Sequence, residues 1–148
     1  MPEEHTGPYL QMAVLCQAVL QEGSGQLSLI RITDALGIGG PMPEMQPAQI
    51  TLHAVVTFRA GFAHGKYRIK LIGVTPSRTE FLAVEQSAYF EGEDRGVNAH
   101  FVLNMVLAEE GVYWFDVLLE GVFVTRVPLR VLYQQIAQQI GQAPPPSG

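Results

Sequence analysis

The sequence holds one cysteine, Cys16. A single thiol rules out an internal disulfide and fits a reducing compartment, so a cytoplasmic location is expected. Charge is scarce as well, at 16% of residues against about 25% in an average soluble domain. A surface so poor in charge suggests that part of it is covered by a partner. No apolar run approaches the ~20 residues of a membrane span, so no membrane is expected. The opening MPEEHTGPYLQ lacks a basic stretch and carries two acids, and no signal peptide is expected. Nine bases face fourteen acids, a net charge of −5. Only Lys66, Arg68 and Lys70 cluster, and they alternate with apolar residues. Nucleic-acid binding needs basic groups massed against phosphates, so none is expected.

Catalytic and metal-binding patterns are missing too. His5, His53, His64 and His100 show no H-x-H, H-x₃-H or H-E-x-x-H spacing, and no CxxC accompanies them. No catalytic residue, cofactor or metal is therefore assigned. His53 and His100 sit on the polar faces of two candidate strands and could meet across a sheet, which leaves a metal-dependent module as a minor rival. The stretch GIGGPMP at 37–43 lacks GxxxxGK[ST] and GxGxxG, and no helical pattern follows it. It reads as part of a long loop over 37–47. Glu91, Glu93 and Asp94, like Glu109 and Glu110, lie in turns, where water keeps carboxylates ordinary. Cys16 shares its phase with Met12, Val14, Ala18 and Leu20, an apolar set, and reads as a buried structural thiol rather than a nucleophile.

What the sequence has in abundance is period-2 alternation, the mark of a sheet with one buried face. Ile50, Leu52, Ala54, Val56 and Phe58 fall on one face, against Thr51, His53, Val55 and Thr57. Tyr67, Ile69 and Leu71 oppose Lys66, Arg68 and Lys70, and Tyr113, Phe115, Val117 and Leu119 oppose Trp114, Asp116 and Glu120. Gly- and Pro-rich turns divide the chain into eight candidate strands, at 10–21, 27–34, 49–58, 66–74, 79–90, 97–107, 112–120 and 122–131. Glu120 and Gly121 between β-rich runs suit a tight primed turn. Pro128 cannot donate to a ladder, which marks an edge or a bulge. The spacing predicts an all-β fold, an antiparallel β-sandwich of seven or eight strands, immunoglobulin-like or C2-like, over 1–131. Beyond it, Leu132, Ile136 and Ile140 recur every fourth residue, with Tyr133 and Ala137 beside them. That stripe predicts a short amphipathic helix at 132–141, followed by a disordered Pro-rich tail at 142–148.

Two groups of residues carry a resemblance. Leu15, Cys16 and Val19, then Gly25, Leu27, Ser28, Leu29 and Ile30, resemble the N-terminal pattern L-C-x-x-V…G-x-L-S-L-I of a family of small uncharacterised bacterial proteins. Gly111, Val112, Tyr113, Trp114, Phe115 and Val117, with Glu120, Gly121, Val127, Pro128 and Leu129, are similar to that family's C-terminal hairpin. They also resemble a strand pair of immunoglobulin-like sandwiches, where such a tyrosine sits at a sheet corner. The resemblance implies an all-β fold and no catalytic residue. The expectation is thus a non-enzymatic interaction or structural module, meeting a protein partner or its own copy through an edge strand or the helix face of Leu132, Tyr133, Ile136 and Ile140. The alternative is a small-ligand carrier or small enzyme with a pocket formed by the loops at 37–47 and 60–65.

Overall fold

A computed structural model describes residues 7–136. Seven strands follow in order: β1 Tyr9–Gln21, β2 Leu27–Ile32, β3 Ala35–Gly40, β4 Ala48–Val74, β5 Glu80–Leu107, β6 Gly111–Leu119 and β7 Val122–Gln135. All belong to one hydrogen-bonded sheet in the order β2-β1-β4-β6-β7-β3, with β5 paired along the other side of β4.

The two longest strands organise the rest. The sequence reading places breaks at 60–65 and 91–96; instead the chain stays paired through both. β4 and β5 form one antiparallel ladder from Val74↔Glu80 to Ala48↔Leu107, with bulges at Arg59/Gly61 and Gly61/His64. Glycines at 61, 65 and 92 have positive φ, so they bend the ladder without ending it. Four expected strands therefore merge into two. On its other side β4 pairs β1 before the bend and β6 after it. The sheet curls at this point, and its inward faces share one core: Leu52, Ala54, Val56 and Phe58 from before the bend, Ile69, Leu71, Phe115 and Val117 from after it. These are the inward sets the alternation predicts. The tight turn at Glu120 and Gly121 also forms, both with positive φ.

Three expectations need correction. The helix does not form at 132–135, which complete β7 and pair in parallel with β3, Gly37↔Leu132 through Gly40↔Gln135. A spacing of four residues is common to a helix face and a strand face, so the stripe could not separate them. Ile136 follows β7 without forming a helix, and residues 137–141, Ile140 among them, lie outside the described residues, as does the tail at 142–148. Next, residues 37–40, expected to open the loop at 37–47, belong to strand β3, whose parallel pairing with β7 makes the sheet mixed rather than purely antiparallel. Leu36 and Ile38 pack on the core and alternate with Gly37 and Gly39. Finally, β1 faces the other way. A bulge between Leu10 and Met12 shifts its phase, so Leu10, Ala13 and Leu15 join the core while Cys16 pairs with His53 on the outward face. Residues 12–16 are apolar on both faces, which removes the alternation that would have fixed their direction.

Cys16 is nonetheless fully buried. β1 leaves β4 after Cys16 and pairs with β2. That hairpin leans over the outward face, where Gly25, Leu27 and Leu29 line one hollow with Met12, Val55, Thr57 and Asn98. Burial pushes the thiol pKa up, only partly offset by a backbone hydrogen bond at Ala18. A raised thiol pKa keeps Cys16 protonated and poorly nucleophilic.

Candidate functional site

Of the expected interaction residues, the structure brings Leu132 and Ile136 together. Both are more than half exposed. They line a shallow hollow with Gly37, Ile38, Gly39, Tyr133 and Gln134. Tyr133 is tied down: its hydroxyl donates to the Met42 carbonyl, and its N–H donates to Glu110 Oε1 at 2.7 Å. The stretch 60–65 lies inside β4 and contributes nothing to this hollow.

The free edges of the sheet differ. β5 carries Glu80, Glu85, Glu91, Glu93, Asp94 and Arg95 along its length, and within it Gln86 Nε2 donates to the His100 carbonyl. β2 is distorted by Arg31, a non-glycine residue at φ 54. β3, at the end of the sheet, has no charged residue. Edge strands in natural proteins are usually defended by charge, bulge or cover. Pro128 sits where β7 has β6 as its only partner, because β3 joins from Arg130 onward.

His53 and His100 do meet. Their rings stack at 5.0 Å, and His53 Nδ1 lies 2.7 Å from His100 Nε2. Thr51 donates to Asn104 at 2.8 Å on one side and Thr57 to Asn98 at 2.9 Å on the other. An imidazole–imidazole hydrogen bond needs one donor and one acceptor, so the pair holds at most one proton between those nitrogens. Burial, and then His53, hold the His100 pKa below its ordinary 6.5. Folded His100 therefore binds fewer protons than unfolded His100, and stability rises with pH through the window below 6.5 and is complete above it. Stability, measured by unfolding from about pH 7 down to pH 5, is expected to fall more steeply in the wild type than in His100→Asn; equal slopes would show that the pair has no such role. Among the described residues, no group of three or more His, Cys, Asp or Glu side chains could hold a metal.

A third feature was missed by sequence reasoning. Trp114, on the outward face of β6, and Phe123 of β7 flank the Arg126 guanidinium, which lies 5.6 Å and 5.9 Å from their ring centres. Asp116 accepts from Arg126 Nε at 2.7 Å and Nη2 at 3.2 Å and keeps the guanidinium more basic than usual. Beside this stack is a hollow floored by Val112, Val74 and Pro76, with Arg78 on its rim. The available signal was the single tryptophan, placed on the polar phase of its strand.

Among the described residues no helix is long and apolar enough to cross a membrane. Fold and surface define an all-β protein built on one curled sheet. The chain belongs to the family described as "Family of unknown function (DUF6941)", which matches residues 11–132. No curated protein matches the sequence. Among solved structures, a β-glucosidase from Listeria innocua is similar over 86% of this chain at 14% identity and TM-score 0.49, and the chain spans 17% of that enzyme's length. An immunoglobulin-like protein from Pseudomonas aeruginosa is similar over 85% of this chain and 97% of its own, at 12% identity and TM-score 0.40.

Proposed function

We propose that this protein is a non-enzymatic interaction module that associates with a second copy through the free edge of β3, with Leu132 and Ile136 as apolar anchors. The observation that carries the reading is the undefended edge: β3 has no charge within it, whereas β5 carries charged residues and β2 is distorted at Arg31. Two β3 edges related by a two-fold axis would present the same uncharged surface to each other, as an isologous contact requires. The curled sheet fits an immunoglobulin-like sandwich, a reading supported by the core shared across the bend and by Tyr113 at the corner where β6 begins.

Gly37→Lys tests the contact. A Cβ built at Gly37 meets nothing within 4 Å, so the fold accommodates the side chain while the edge gains a charge. Light scattering is expected to give a dimer for the wild type and a monomer of unchanged melting temperature for the variant. A wild-type monomer, or a Gly37→Lys dimer, would overturn the proposal.

A further inference from the structure

The hollow beside Trp114 lies on β4, β6 and β7 and shares no lining residue with the hollow at the β3 edge. We infer that it binds a small organic anion, a carboxylate or phosphate carried on a flat apolar body. Three observations converge on this chemistry.

The first is a pair of cations with different states of engagement. Arg126 is held by Asp116 and sandwiched by two rings, so its orientation is set before any ligand arrives. It has N–H groups to spare beyond the two that Asp116 takes. The Arg78 side chain has no hydrogen bond or ion pair among the described residues, although it lines the same hollow. An unengaged guanidinium offers a planar fork that fits carboxylate and phosphate oxygens two at a time.

The second is the backbone that presents Arg78. The turn at 75–79 is braced by Arg78 N–H donating to the Thr75 carbonyl at 2.9 Å and by Thr79 N–H donating to Thr75 Oγ1 at 3.0 Å. Arg78 sits in it at φ 67, in the left-handed region that glycine occupies more cheaply. A long cation kept there is aimed by a fixed turn.

The third is the floor. Trp114, Val112, Val74 and Pro76 give the hollow that holds both arginines an apolar lining. Inorganic phosphate would use the cations and leave this surface wet; an aryl or alkyl anion would cover it as well. Of the acids nearby, Asp116 faces Arg126 and Glu109 accepts from Ser77 Oγ at 3.1 Å.

Trp114 is the chain's one tryptophan, so its emission reports on this hollow without a label. Phenyl phosphate, benzoate, inorganic phosphate and benzyl alcohol are the probes. Phenyl phosphate and benzoate are expected to change the emission saturably, and the stronger of the two tells whether phosphate or carboxylate is preferred. Benzyl alcohol and inorganic phosphate, each lacking half of the recognised chemistry, should bind at least about 10-fold more weakly. Arg78→Gly, which suits the left-handed turn, should weaken the aryl anions by about 10-fold or more and leave the melting temperature unchanged. A saturable response to neither aryl anion, inorganic phosphate binding as well as phenyl phosphate, or an unaltered response in Arg78→Gly would each overturn the assignment.

Discussion

Phe90→Ala is expected to lower the stability of this protein by about 3–5 kcal/mol. Phe90 is fully buried and lies opposite Gly65, where the long ladder bends. Its ring meets Phe58 edge-on at 6.2 Å and Tyr67 edge-on at 4.9 Å. Those two rings come from opposite sides of the bend in β4. Removing Phe90 therefore empties a volume that both arms of the curled sheet use, and neither arm can collapse into it without unbending the ladder. The adjacent Tyr89 is 69% exposed and serves as the control, since Tyr89→Ala should stay within about 0.5 kcal/mol of the wild type. Denaturant unfolding reads both. A Phe90→Ala loss no larger than that of the control would show that the bend is held by something other than these rings.

Gly111→Val is expected to cost about 2–4 kcal/mol, from two sources that add. Gly111 adopts φ 125, which side chains rarely allow, and a Cβ there would come within 2.9 Å of the Pro76 Cβ. The site is stiff on both sides. Just before it, the buried Tyr113 hydroxyl donates to the Glu109 carbonyl at 2.9 Å and accepts from the Glu109 N–H at 3.1 Å. Burial, the leading cause, pushes the Tyr113 pKa up, so the hydroxyl remains a donor. On the other side Pro76 belongs to the braced turn at 75–79. A branched side chain thus has no flexible neighbour to displace. A melting temperature within a degree or so of the wild type would show that the strand start is more compliant than its geometry indicates.

Much of the fold was legible because most strands have one buried face. The outward phases of residues 51–57, 66–70 and 114–120 were readable because polar residues mark them. Where polar residues are absent, direction was lost, as in β1, whose residues 12–16 are apolar on both faces. Lost too was any feature set by a distant partner. Leu132 and Ile136 satisfy a strand as well as a helix, and pairing with β3, almost a hundred residues earlier, decides between them. Glycines misled in the same direction twice: those at 61, 65 and 92 bend a continuous ladder, and those at 37, 39 and 40 belong to a strand. The meeting of His53 and His100 could be foreseen as a possibility from their phases, but their contact depends on a register that a single sequence does not reveal. The Trp114 hollow depends on a turn, a strand start and a neighbouring strand together, so no local motif announces it.

The unbroken β4–β5 ladder has a mechanical consequence. Two halves of a protein joined by a linker can swing, and the distance between ligands bound to each then fluctuates. Here the halves are joined by two strands that are hydrogen-bonded to each other nearly throughout, so relative motion would require breaking the ladder itself. A partner seated at the β3 edge, on the arm that follows the bend, would be held at a constant spacing and orientation from the β1–β2 hairpin on the arm that precedes it. In an assembly, the chain would act as a rigid strut that fixes how far apart its neighbours stand.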